Sequence, residues 1–287
     1  MSQTLIPLVP GQPNGRIFEL AHPLRFWHLS SLDAPTVAAV WSLGFAKAAG
    51  VRLPVWVPVL LALVTWAAYM SDRLLDARSA IRIKKIQYLR PRHHFHWKHR
   101  RVFLVLVFVA ACSAAWIAIS FMPSEARERN ALLALAGLIY FSSVHSRPGR
   151  QWLLPKELVV AVLFTTGCAL PALGRSAAIS PALVAAMVFF VGLAWLNCHA
   201  IDRWESVDPI SSGTQISYAA SLLAAAGLLG AILLFVFDSG EPVLIGAGVA
   251  SACLLALLDG LRCRMNPLTL RSAADLVLLA PLVLLLQ

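Results

Sequence analysis

Charge is scarce in this chain. Asp, Glu, Lys and Arg together make up 13% of its 287 residues, while 59% are hydrophobic and the mean hydropathy is +0.74. A soluble domain of this length needs far more polar surface to cover its core, so the composition excludes a water-soluble globular protein. Cysteine is sparse as well. Cys112, Cys168, Cys198, Cys253 and Cys263 show no CxxC spacing, and four of them fall in or at the ends of apolar runs, where cysteine acts as a small apolar residue. No disulfide is expected. Low-complexity tracts are also missing and the largest hydrophilic block is the basic stretch from Ser71 to Arg101, so no autonomous soluble domain is expected, and 1–287 reads as a single integral membrane domain. The first segment, MSQTLIPLVPGQPNGRIFEL, lacks a basic start, a continuous apolar stretch and a small-residue cleavage site. It reads as a short lead of residues 1–31 and not as a removable signal peptide.

What is present is a series of apolar runs. A spanning helix needs about 20 mostly apolar residues, and nine runs meet that length, near 32–50, 53–71, 102–122, 130–146, 156–174, 180–199, 216–237, 242–260 and 270–287. Unbroken runs of this kind suit helices and not a barrel. The expectation is an all-α, multi-pass membrane bundle of nine helices. The formal charge of +10 would suggest nucleic acid in a soluble protein, but in a membrane protein its distribution across the loops decides its meaning. With the N-terminus in the cytoplasm, nineteen of the twenty-four basic residues lie on that side. This asymmetry predicts a cytoplasmic N-terminus, a C-terminus on the opposite side, membrane lipids as surroundings and no nucleic acid.

Two acidic stretches stand at the ends of apolar runs on the expected cytoplasmic face. SDRLLDARSA begins at Ser71 and IDRWESVD at Ile201. Helical spacing places Asp72 with Asp76 on one face, and Asp202 with Glu205, with Asp208 beyond them. Like charges on one face repel unless a cation lies between them, and a hard divalent ion that takes oxygen ligands and binds substrate phosphates suits the pattern. Magnesium fits best. The plainer alternative is that these are interfacial charges, each paired with its neighbouring arginine, Arg73 or Arg203.

These motifs resemble those of the UbiA-type intramembrane prenyltransferases. That family is built of nine helices, with one aspartate-rich motif after the second and another after the sixth, and the resemblance covers nearly the whole chain. SDRLLD is similar to the first motif and NCHAIDRWESVD to the second. The first family motif usually reads NDxxDxxxD, where this chain has Ser71, Asp72, Leu75 and Ser79, with its second carboxylate at Asp76. In the second, Cys198 stands four before Asp202 and Ser206 four after it. Tyr140 fits the family's tyrosine at the end of the fourth helix. Val144 takes the place of the lysine four residues on, leaving His145, Arg147 or Lys156 for that role.

The resemblance implies Mg2+ held by Asp72, Asp76, Asp202 and Glu205, with Asp208 as a further ligand. It also implies a prenyl diphosphate donor and a lipophilic acceptor in a lipid-facing cleft. Arg73, Arg203, Tyr140, Arg147, Lys156 and Asn197 are candidate substrate-binding residues. Asn197 and His199, one turn before Asp202, would line the cavity or hold helices together. Lys156, Glu157, Asp259 and Asp275 fall close to the same expected face.

The stretch LRPRHHFHWKHRR, residues 89–101, completes an expected basic loop over 72–101. It reads in three ways. It is an anchor for anionic lipid with Phe95 and Trp97 at the headgroup level; or Arg90 and Arg92 bind the diphosphate through paired guanidinium contacts; or His93, His94, His96 and His99, with His145 and His199, hold a metal, as in a membrane oxidase. A UbiA-type bundle that binds a lipid or quinone without turnover is the other alternative to the transferase.

Overall fold

The structure is a computed structural model and describes residues 22–83, 91–146, 155–205, 215–237 and 242–286, without the side chains of 22–25, 82–83, 91–93, 146 and 205. Among the described residues it is all helical, with no strand. Six helices among the described residues are long and apolar enough to cross a membrane, and the protein is an integral, multi-pass membrane protein. In chain order the elements are α1 (His22–Leu29), α2 (Asp33–Ala48), α3 (Trp56–Ile83), α4 (Pro91–Lys98), α5 (Arg100–Phe121) and α6 (Ser124–Ser146). They continue with α7 (Lys156–Leu173), α8 (Pro181–Glu205), α9 (Gln215–Val236), α10 (Val243–Leu261), α11 (Pro267–Val277) and α12 (Leu282–Leu285).

The helix α2 runs through the interior of the bundle. Val37, Ala38, Trp41 and Phe45 on it are all buried, and the indole of Trp41 stacks on Phe190 of α8 at a ring separation of 3.7 Å. Around it α3, α7, α8, α10, α11 and α12 make contact. The outer helices turn apolar faces outward: Leu104, Phe108, Trp116 and Ile119 of α5, and Leu229, Ile232 and Phe235 of α9, are exposed. That arrangement suits a lipid surround and would be unsustainable in water. Where α8, α9 and α10 meet, Phe189 fills the space left by two glycines. A Cβ built on Gly227 would come within 2.3 Å of its ring, and one on Gly248 within 2.6 Å, so the helices approach closely only because those positions are bare.

With 28 residues, α3 is about 42 Å long at 1.5 Å per residue, against a hydrocarbon core of about 30 Å. Counted from Trp56, Asp72 lies about 24 Å and Asp76 about 30 Å along it, so the pair falls at the edge of that layer and the turns after Asp76 reach beyond it. This alters the expected loop over 72–101. The segment DARSAIRI continues the helix because Ala and Arg favour it, and Pro91 at the first helical position opens α4, which packs back on α3.

The ninth apolar run, 270–287, differs from the expected single span. It is divided into α11, of 11 residues, and α12, of four, with residues 278–281 between them. Asn266 caps α11 by accepting a hydrogen bond from the Thr269 amide at 2.7 Å. A break at membrane depth frees backbone carbonyls that lipid cannot satisfy. Neighbouring helices supply the donors: Trp41 Nε1 bonds Leu278 O at 2.8 Å, Ser251 Oγ bonds Val277 O at 2.7 Å, and Lys47 Nζ reaches Leu284 O. Trp41→Phe keeps the ring on Phe190 and deletes one donor, so it is expected to cost about 1–3 kcal/mol. Thermal unfolding in detergent reads this as a lower Tm, and an unchanged Tm would show that the Leu278 carbonyl does not depend on the indole.

Candidate functional site

Two helices, α3 and α6, bring the first acidic stretch into a cluster. Asp72 and Asp76, about 40° apart around α3, meet His145 from the last turn of α6. One ligand atom from each lies within 4.8 Å of the others, and His145 Nε2 is 3.4 Å from Asp72 Oδ1. The other ring nitrogen explains how His145 is oriented. Nδ1 lies 2.9 Å from the carbonyl of Phe141, an acceptor only, so Nδ1 carries the hydrogen and Nε2 faces the carboxylate. In the neutral ring Nε2 is a bare lone pair opposing a second one on Asp72. A proton or a metal ion between them removes that repulsion, and a donor bond from Nδ1–H to a backbone carbonyl is how metal-ligating imidazoles are commonly held.

Tyr140 and Lys156 join this cluster. Tyr140 Oη donates to Lys156 O at 3.4 Å, and the Asp72 charge acts on Tyr140 and is itself acted on by Lys156. Lys156 is exposed and pairs with Glu157 at 3.8 Å. With Asp76 also exposed, the cluster opens outward and can accept a charged ligand. Arg90, Arg147 and Asp208 lie outside the described residues, as do the side chains of Arg92 and Glu205.

Arg73 and Asn197 take up a different position from the one expected. Arg73, one residue and about 100° on from Asp72, is 6% exposed and turns into the bundle. There it donates to Tyr69 Oη and lies 3.8 Å from Asp33 Oδ2. It is therefore an interior partner of Asp33 and not a surface contact for a diphosphate. Asp33, the first residue of α2, is fully buried with His28 of α1, whose Nδ1 is 2.8 Å from Asp33 Oδ2 and 3.7 Å from Asp275 Oδ2 of α11. Asn197 of α8 reaches the same place, its Nδ2 3.4 Å from Asp275 Oδ1. Burial holds the His28 imidazole below its usual range despite the raising effect of Asp33, with Arg73 and Arg271 adding to the lowering. The two motifs thus converge on a shared interior cluster, through Arg73 on one side and Asn197 on the other.

Asp202 does not share in that convergence. It is exposed, and it belongs to neither of the two groups of ligand atoms close enough to hold a metal among the described residues. Helix geometry accounts for this. Five residues separate Asn197 from Asp202, which turns them about 140° apart, so α8 directs the amide inward and the carboxylate outward. The next residue, Arg203, donates to Gln215 Oε1 at 3.3 Å. His199 stacks on Trp195 at 5.6 Å.

The histidines of α4 and of the junction with α5 do not gather either. His94 is exposed, His96 is buried beside Phe95 and Phe103, and His99 bonds the carbonyl of Phe95 at 3.0 Å. None of these three belongs to a group able to hold a metal among the described residues.

Comparison with known protein families, with curated proteins and with solved structures finds no match to this chain.

Proposed function

We propose that this protein is an intramembrane prenyltransferase of the UbiA type, moving an isoprenoid chain from a prenyl diphosphate to an aromatic or other lipophilic acceptor. The bundle would be the nine-segment fold of that family, with a cytoplasmic N-terminus and the last segment broken into α11 and α12. The observation that carries this reading is the open cluster of Asp72, Asp76 and His145, set on α3 at about the depth where a 30 Å apolar layer ends. A phosphate head can be met there while its hydrocarbon tail stays among apolar helices.

The donor set fits a divalent ion. Two carboxylates supply hard oxygen ligands, and the geometry leaves Nε2 of His145 without a backbone partner on the Asp72 side. Asp72 and Asp76 would hold Mg2+ at the diphosphate through oxygen alone, with His145 beside Asp72 and outside the ion's ligand set, in reach of a metal-bound water; the ion would supply neutralisation of charge on the departing phosphate oxygens. Lys156 offers its ammonium group to the same oxygens. Tyr140 lies within the field of Asp72 and donates its hydroxyl hydrogen to the backbone of α7. The apolar helices below exclude water, so the allylic carbon released by the diphosphate is captured by the acceptor. Asp202 takes no part in this set, leaving Glu205 and Asp208 as the carboxylates of the second motif.

The test uses the full chain in detergent with farnesyl or geranylgeranyl diphosphate and an aromatic acceptor. Diphosphate release should require Mg2+, fall to background with EDTA and recover on Mg2+ addition. Release that is unaffected by chelation would sink the assignment. The outward placement of Asp202 favours one other reading, a bundle of this type that binds a lipid or quinone without turnover. Stoichiometric lipid or quinone in the purified protein, with no diphosphate released in Mg2+, would establish it.

A further inference from the structure

The interior cluster is a second place where donor atoms converge, and it owes nothing to the exposed one. His28 Nδ1, Asp33 Oδ2 and an oxygen of Asp275 come from α1, α2 and α11. His28 and Asp33 are fully buried and the Asp275 side chain is 14% exposed. Ser31 shapes this arrangement. Its left-handed backbone, with φ of 58°, folds the chain back between His28 and Asp33.

Two carboxyls this close in a dry interior cannot both stay ionised without a positive charge between them. Arg73 lies 3.8 Å from Asp33 and is bonded to Tyr69, and Arg271, one turn before Asp275 on α11, adds a second positive charge to the surroundings of the cluster. The triangle of donor atoms has the size of a coordination face. For ligands about 2.0–2.1 Å from a metal, tetrahedral geometry separates neighbouring donors by about 3.3 Å; the separations of His28 Nδ1 from the two carboxylate oxygens, 2.8 and 3.7 Å, bracket that value, and all three donors lie within 4.8 Å of one another.

A second, independent observation points to a ligand. Asn197 is 3% exposed, its Nδ2 rests against Asp275, and its Oδ1 makes no hydrogen bond. A buried amide oxygen without a donor costs about 1–3 kcal/mol. A metal-bound water beside Asp275 would satisfy it. Asp275, with its partial exposure, leaves a way in.

We propose that His28, Asp33 and Asp275 bind one divalent transition-metal ion of the zinc or manganese kind, with Asn197 in hydrogen-bonding reach of the ion's water. The mixed nitrogen and oxygen donor set selects this class over Mg2+ and Ca2+, which prefer oxygen alone. The ion would tie α1, α2 and α11 together and, through Arg73 and Asn197, brace both acidic motifs. The site does not rest on prenyl transfer and would exist equally in a lipid-binding protein.

The experiment removes the exposed cluster first. Full-length Asp72→Asn protein in detergent is equilibrated with Co2+, desalted, and analysed for metal content and visible absorption. One equivalent of cobalt with ligand-field bands is expected. Adding Asp275→Asn or His28→Ala should each abolish the bands and weaken binding by about 10–100-fold or more, the loss seen even for groups that only support a metal ligand. The isosteric Asp275→Asn guards against a fold defect in the alanine variant, and Zn2+ should raise the Tm of Asp72→Asn but not that of the double variants. Asp72→Asn that folds yet keeps no cobalt would overturn the proposal, leaving a proton between the carboxyls. Cobalt retained in both double variants would overturn it too, because the ion would then sit elsewhere.

Discussion

Asp72→Asn is expected to reduce diphosphate release by at least about 10²–10³-fold, the scale of losing one preorganised electrostatic contact to developing charge, while leaving the bundle folded. The reason lies in where Asp72 sits. Its carboxylate is the one closest to His145, at 3.4 Å, and it shares the cluster with Asp76 while lying within range of Lys156. Asn keeps the shape and removes the charge, so an ion would lose its best ligand and the imidazole its counter-charge. The partner variant His145→Gln should lose less, because two carboxylates remain. Rates measured at several Mg2+ concentrations separate the two effects: a metal ligand shows its loss as a raised Mg2+ requirement. Near-normal turnover by Asp72→Asn at low Mg2+ would place the chemistry elsewhere.

The largest structural loss is expected from Asp259→Ala. Asp259 is 3% exposed near the end of α10 and accepts three donors from three directions. Trp204 Nε1 of α8 bonds Oδ1 at 2.9 Å, the amide of Ser217 in the first turn of α9 bonds Oδ2 at 2.9 Å, and Arg262 Nη1 bonds Oδ1 at 2.8 Å. The amide is one of the donors that the start of any helix leaves without an internal partner. Alanine would strand that amide and the indole in a buried place and release Arg262 from its pair. Removing one partner of such a buried, charged network costs about 3–5 kcal/mol, and Asp259→Asn, which keeps one acceptor oxygen, should fall between. Unfolding of detergent-purified protein by heat or denaturant measures both. A change below about 0.5 kcal/mol for the alanine variant, the range of an ordinary surface substitution, would show that water already serves these donors.

Much of the architecture was legible because long apolar runs are a strong signal. The runs 32–50, 102–122, 180–199 and 242–260 lie close to α2, α5, α8 and α10, and the acidic pair on α3 follows from helical spacing alone. Less was legible where tertiary partners decide. The composition of 270–287 is uniformly apolar, and what breaks it is the supply of donors from Trp41, Ser251 and Lys47, none of them adjacent in sequence. The polar, histidine-rich stretch at 91–98 gave no apolar period from which to expect α4.

The interior cluster was hidden in the same way. Asp275 stood out as an ionisable residue near a helix end, but its partners did not. Asp33 as the first residue of an apolar run, with His28 five residues earlier, was the available signal, since an ionisable group at the edge of a spanning segment seeks a partner within the bundle. Asp202 shows the opposite limit. A shared motif predicted its chemistry, but its direction depended on the register of α8 against α11.

Neighbouring residues of α3 serve two separate centres, and this restricts how the gene for this protein can drift. Substitutions at α3 positions other than Asp72, Arg73 and Asp76 can be absorbed singly, but inserting one codon upstream of Asp72 would rotate everything after it by about 100°. Ser71 would then face His145, and the Asp72 carboxylate would be driven against Asp33 in the place of a guanidinium. Indels should therefore be purged from this helix even where its composition is free to change.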